Sequence, residues 1–113
     1  MQTEYKKVFK ELMDAIEAGS VSVSDVGVFI VKLSNHYADY NLKMVDAIHV
    51  ANNAAKDCEE QTDTNGKAIS SAKAKVLAEA TAEAHEYEIA RAHVQNIEHF
   101  IEAAKALQKG LTA

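Results

Sequence analysis

From Val26 to Cys58 the apolar residues recur at alternating intervals of four and three: Val26, Ile30, Leu33, Tyr37, Tyr40, Met44, Ala47, Ala51, Ala54 and Cys58. A helix turns once every 3.6 residues, so this rhythm lays one unbroken apolar stripe along a single long helix. A strand, whose faces alternate every two residues, cannot carry it. The stripe needs a covering element of similar length. With 113 residues and no proline, the chain has room for one core and nothing that must interrupt a helix. The expected fold is all-α, a single domain over 1–113 with helices at about 3–18, 24–61 and 70–109.

The first of these helices follows from Tyr5, Val8, Phe9, Leu12, Met13 and Ile16, which fall at three- and four-residue spacing between Thr3 and Gly19. Thr3 is placed to accept from a first-turn amide, and Gly19 to adopt the left-handed conformation that ends a helix. Its polar side runs from Lys6, Lys7 and Lys10 to Glu11, Asp14 and Glu17. That order opposes the helix dipole, so packing must hold the helix. Ser22 and Asp25 have the spacing of a capping box and predict the start of the second helix. Asn35 to Asn41 is where that helix would kink if it did.

Thr62-Asp63-Thr64-Asn65-Gly66-Lys67 is the strongest turn signal, because Asp and Asn bond their own backbone in turns and Asn-Gly supplies positive φ. Beyond it, Ser70 or Ser71 caps a third helix with seam positions Val76, Ala80, Tyr87, Ala90, Val94, Ile97, Ile101 and Ala104. The second and third helices would each run about 55 Å, and equal length across a short turn predicts a long antiparallel hairpin.

The two ends of the hairpin differ in bulk. Near the turn, Ala47, Ala51, Ala54 and Ala55 oppose Ala72, Ala78 and Ala80, whereas Phe29, Ile30 and Leu33 oppose Ile97, Phe100, Ile101 and Leu107 at the far end. Large residues need a third layer, which the first helix supplies as a three-helix base. In particular, Phe9 and Leu12 are expected on Phe29 or Leu33 and on Phe100 and Ile101. The alanine-lined arm buries little apolar area at roughly 25 cal/mol per Å² and is expected to pack on something else. Ala47, Ala51, Ala54, Ala55, Cys58 and Glu83 are therefore the candidate interaction residues. Glu83 occupies an inward position of the seam, where it either snorkels outward or meets a partner's cation.

Chemical sites are weakly represented. Asp46 and His49 have ligand spacing, but the opposing helix offers only His85 with Glu88 in reverse order, which does not complete a di-iron pattern. His93 and His99, six apart, do not share a face. Cys58 lies on the apolar stripe beside Asp57, Glu59 and Glu60, whose charges disfavour a thiolate. Asp63-x-Asn65-Gly66 lacks the ligands that complete a calcium loop. No phosphate loop or nucleophile triad is present, so the expectation is a non-enzymatic protein without catalytic residues, cofactor or metal.

A net charge of −5 argues against a nucleic-acid partner, and no apolar run suits a membrane span. With one cysteine and no leader-like start, reducing surroundings are expected. Lys6, Lys7 and Lys10, with Tyr5 and Phe9 beside them, form the basic cluster, read first as a solvated face and second as a contact for an anionic surface. The expected partner is a protein or the chain itself, in a homo-oligomer or larger assembly. The alternative is an acidic inhibitor of a host defence or replication protein, using the Glu-rich third helix to imitate nucleic-acid charge.

The motifs Gln61-Thr62-Asp63-Thr64-Asn65-Gly66-Lys67, Ser71 to Lys75, and Asn96-Ile97-Glu98-His99-Phe100-Ile101 through Gly110 resemble small helical proteins encoded in tailed-phage genomes. The resemblance covers roughly the last half of the chain. It implies a phage origin and a bacterial-cytoplasmic or virion setting, and it transfers no catalytic residue.

Overall fold

A computed structural model of the chain describes residues 3–62 and 66–112. Among these residues the fold is all-α: a long antiparallel helical hairpin with a short N-terminal helix. Four helices follow in order, α1 (Glu4–Glu17), α2 (Val23–Glu59), α3 (Ser71–Glu79) and α4 (Ala82–Thr112). The contacts divide the chain into two compact units, residues 1–40 with 93–113, and residues 41–92.

The ends of α1 show how locally these boundaries are set. Gly19 takes φ +70°, and the Gly19 and Ser20 amides donate to the carbonyls of Ile16 and Ala15 at 3.0 and 3.1 Å. This pair of bonds satisfies carbonyls that the helix end would leave open. Thr3 stands at the N-cap, but its side chain makes no capping bond, and its buried hydroxyl oxygen has no hydrogen-bond partner. The expectation for Thr3 is corrected here: burial has taken the hydroxyl away from the first-turn amides.

The start of α2 forms the reciprocal box. The Ser22 amide donates to Asp25 Oδ2 at 2.9 Å, and the Asp25 amide donates to Ser22 Oγ at 3.2 Å. That bond from the Ser22 amide, with the Ser22 side chain second, holds the Asp25 carboxyl below the ordinary carboxylate value. From there α2 runs without a break through Asn35 and Asn41. Every position of the four-three stripe from Val26 to Cys58 is at least half-buried.

In the first unit, α1, the first half of α2 and the second half of α4 make a three-helix base. Tyr5, Leu12, Val26, Leu33, Ile97 and Ala104 are fully buried at its centre. Phe9, Phe29, Phe100 and Ile101 pack around them, half-buried. Phe9 and Phe100 stack with centroids 4.3 Å apart and planes 9° from parallel. The Gln108 side-chain amide donates to the Val23 carbonyl at 3.1 Å, joining the last turns of α4 to the first turn of α2.

The second unit contains the main departure from the sequence reading. The expected third helix over 70–109 is divided at Ala80–Thr81, and α4 also continues past Gly110. Ser70, of the two serines, is the α3 cap, accepting from the Lys73 amide at 3.2 Å. Thr81 caps α4: its hydroxyl donates to the Ala78 carbonyl at 2.8 Å and accepts from the Ala84 amide at 3.2 Å. A break resets the helical phase, so the seam expected at Val76 and Ala80 is wrong. Val76 is 64% exposed and Ala80 is exposed, while Ala74 turns inward at 4% with Leu77 and Ala78 half-buried. Downstream of the break, Tyr87, Ala90, Val94 and Ile97 keep the expected inward register.

Between α2 and α3, Thr62 and Ala68 form an isolated antiparallel bridge, and Gly66 adopts φ +76°. Asp63 and Asn65, on which the turn chemistry and the calcium-loop comparison rested, lie outside the described residues.

Candidate functional site

The residues selected from the sequence as interaction candidates all lie in the second unit and on its inner side. Ala47, Ala51, Ala54 and Ala55 are half-buried, and Cys58 is 6% exposed. Cysteine in such a place behaves as a small apolar filler. Glu83 is half-buried as well, but the break at Thr81 places it in the first turn of α4. There the open amides and the positive end of the helix dipole favour a carboxylate, with no need of a partner's cation.

In the first unit, α1 and α4 meet through a polar pair set among aromatic rings. The Tyr5 hydroxyl is hydrogen-bonded to His93 Nδ1 at 2.5 Å. The Tyr5 ring meets Tyr40 edge-on at 5.4 Å and 88°, and Phe100 tilted at 5.9 Å. Tyr40 also lies 4.9 Å from the His93 ring. Burial, and then the neighbouring Tyr5 phenol, raise the Tyr40 pKa. A tyrosine beside a histidine has the elements of proton transfer, but Tyr5 has no exposed surface. No substrate can reach its hydroxyl, so the bond serves to join α1 to α4 while satisfying a buried phenol.

This arrangement bears on the second reading of the basic cluster, that of a contact for an anionic surface, and leaves the first, a solvated face, as it stood. Lys6, Lys7 and Lys10 are exposed, but Tyr5 is turned into the core and Phe9 is stacked on Phe100. The aromatic groups that would have accompanied the lysines at an anionic surface are engaged internally. Lys7 pairs with Glu4 at 3.5 Å with both side chains well exposed, a geometry that contributes little.

Two concave features of the described residues are shallow, open hollows. One of about 370 Å³ is lined by Ala51, Glu79, Ala84, His85, Tyr87 and Glu88 in the second unit. Another, about 230 Å³, is lined by Tyr37, Glu98, Ile101, Glu102 and Lys105 in the first. At its edge the Tyr37 hydroxyl donates to Glu98 Oε1 at 3.1 Å, and that bond is the main cause of a raised Tyr37 pKa. Among the described residues, no group of three or more His, Cys, Asp or Glu side chains is gathered where it could hold a metal ion. Nor is any helix among them long and apolar enough to cross a membrane.

What the sequence reading missed is the other face of α2. In the first unit this helix exposes Val28 at 54% and Val31 at 60%; in the second it exposes Leu42 at 66% and Val45 at 40%. With Asn35 and Ala38, also exposed, these residues repeat the three-four spacing of the inner stripe on the opposite side of the same helix. A helix packed on one side normally turns charged residues outward. The signal was present in the sequence, but the stronger inner stripe absorbed the apolar count. No family model matches this chain, and no curated protein or solved structure is significantly similar to it.

Proposed function

We propose that this protein acts through its surfaces, as a non-enzymatic helical component that associates with itself, and that the outer face of α2 is the contact. The observation that carries this reading is the exposed row Val28, Val31, Leu42 and Val45. Single exposed apolar residues are ordinary on any protein. A row at three- and four-residue spacing is different, because such a row is the pattern by which two helices interlock side chains. The inner seam with Ala47, Ala51, Ala54, Ala55 and Cys58 then serves the fold of each copy, and the outer row serves assembly. The likeness of the second half to tailed-phage proteins suggests the setting, a phage-directed assembly in the host cell or the virion.

The test is sedimentation or light scattering over a concentration series, with the parent beside Val31→Glu and Leu42→Glu. Both side chains are exposed, so each variant is expected to keep the parent's circular dichroism and melting curve. The parent should associate as concentration rises, and each variant should remain monomeric where the parent does not. A parent that stays monomeric throughout removes the reading.

A further inference from the structure

We infer that the Tyr5–His93 pair is a proton-operated latch, which holds the first turn of α1 on α4 while the His93 ring is neutral and lets it go when the ring takes up a proton. Self-association through α2 is not needed for it. The Tyr5 hydroxyl is hydrogen-bonded to His93 Nδ1 at 2.5 Å, and among the described residues it has no second hydrogen-bond partner. Tyr5 has no exposed surface, so bulk water cannot supply one. A buried hydroxyl proton needs an acceptor, and Nδ1 provides it only in the neutral ring whose own proton is on Nε2. Once both ring nitrogens carry protons, Nδ1 can only donate. The bond then reverses, and the Tyr5 proton is left buried without an acceptor.

The rings against His93 are the phenols of Tyr5 from α1, with centroids 5.6 Å apart, and of Tyr40 from α2, at 4.9 Å. Phenols carry no charge near neutral pH. On α4 itself the residues one turn away, Ile89, Ala90, Asn96 and Ile97, are uncharged, and Glu86, Glu88, Arg91 and Glu98 are exposed. On α2, His36 stands half-buried one turn before Tyr40, while Asp39 and Lys43 are exposed. On α1, Glu4 and Lys7 pair with each other on the exposed side, and Lys6 is exposed. Of these groups only His36 changes charge in the same range as His93, and a proton there would add a like charge, which opposes a second one.

The latch sits where it can matter. Tyr5 is at the end of α1 remote from the connector between α1 and α2, and α1 has 14 residues, a length at which a helix is marginal without its packing. Release frees the helix from that end, while Leu12, fully buried nearer the connector, keeps the other half docked. What it uncovers is the aromatic surface beneath Tyr5, formed by Tyr40 and Phe100. In the released turn His93 is an ordinary ring, which takes up its proton near pH about 6.5; in the docked turn it resists. The released fraction is therefore constant above that pH and grows as pH falls below it, by up to about tenfold per pH unit, until the docked ring is protonated as well. The usual cost of an orphaned donor places that second point about one to two pH units lower.

Nuclear magnetic resonance of the histidine rings across a pH series tests this on the parent protein. His93 is expected to titrate about one pH unit or more below the exposed His49, His85 and His99, with its proton on Nε2 at neutral pH. Titration level with those three or above them means that the surrounding rings hold the cation, and overturns the latch. Hydrogen exchange at the Val8 and Phe9 amides, corrected for the intrinsic effect of pH, reads the first turn of α1. Its open fraction should rise several-fold between pH about 6 and pH about 5 in the parent. It should stay level in His93→Asn, whose side-chain oxygen can stand in for Nδ1 without titrating. His36→Asn and His99→Asn should keep the parent's rise. An equal rise in His93→Asn, or its loss in His36→Asn, assigns the response to another group and overturns the latch. Should His93→Asn fail to fold, the ring titration of the parent decides alone.

Discussion

Tyr5 in the first turn of α1 hydrogen-bonds His93 of α4 across 88 positions of sequence, and its ring is wholly buried against Tyr40 and Phe100. One side chain thereby ties the short helix to both long ones. The hydroxyl and the ring contribute separately. Tyr5→Phe keeps the ring and should cost about 1 kcal/mol, the net worth of one hydrogen bond. Tyr5→Ala should cost about 3 to 5 kcal/mol, as for a buried aromatic. Urea melts with unchanged slope measure both, and equal losses in the two variants would mean that the ring packs loosely.

The core of the first unit is uneven in depth. Ile97 has no exposed surface, whereas Phe100 is half-buried and depends on its stack with Phe9. Ile97→Ala should cost about 3 to 4 kcal/mol, near the middle of the range for deeply buried aliphatic residues. Phe100→Ala should cost about 2 kcal/mol, because part of that side chain is in water already. The reverse order in denaturant melts would place the centre of the core nearer the Phe9–Phe100 stack.

Thr81 separates α3 from α4 by holding one carbonyl and one amide with a single hydroxyl. Thr81→Ala should cost about 1 kcal/mol, the usual value of a lost N-cap. Thr81→Ser should recover most of it. Hydrogen exchange at the Ala84 amide reports the cap itself: protection should fall in Thr81→Ala and persist in Thr81→Ser. Unchanged exchange in Thr81→Ala would show that α4 starts without the hydroxyl.

Two tyrosines link stability to alkaline pH. Burial raises the Tyr40 pKa, and the bond to Glu98 raises that of Tyr37. A phenol whose folded pKa is raised stabilises the fold in its protonated form. The contribution is complete below the ordinary value near 10 and is lost as pH rises through the folded value. Ultraviolet titration should show phenolate appearing at higher pH than in free tyrosine. Tyr37→Phe and Tyr40→Phe should each remove part of the late rise, and a curve superimposed on that of free tyrosine would contradict both assignments.

At acid pH the sign is opposite. The Asp25 pKa is lowered by the Ser22 amide, so its contribution is present above the ordinary value of 3.8 and is lost as pH falls through the folded one. Asp25→Asn retains an oxygen acceptor without a titrating charge. Its thermal stability should therefore change less than the parent's between neutral pH and pH about 3. An identical acid slope in the two proteins would assign that slope to other carboxylates.

What could be read from the chain alone is what neighbours along the chain decide. The four-three stripe from Val26 to Cys58 predicts its own burial because three or four residues make a helical turn whatever the helix packs against. The Ser22–Asp25 box and the Gly19 cap are equally local, since their bonds reach no farther than five residues. The bulk of Phe9, Leu33 and Phe100 against the alanines near the turn likewise marked which end needs a third helix. The break at Ala80–Thr81 left no comparable mark, because Ser71 to Glu83 contains no glycine or proline and an unbroken helix satisfies the same residues locally. Tertiary packing decided it, turning Ala74 inward and leaving Val76 in solvent, and Thr81 offsets the lost helical bonds with its hydroxyl. The Tyr5–His93 bond belongs to the same class. Periodicity places Tyr5 on an inner face, but only the folded base, which brings α1 against α4, can choose a histidine 88 residues away as the partner for its hydroxyl.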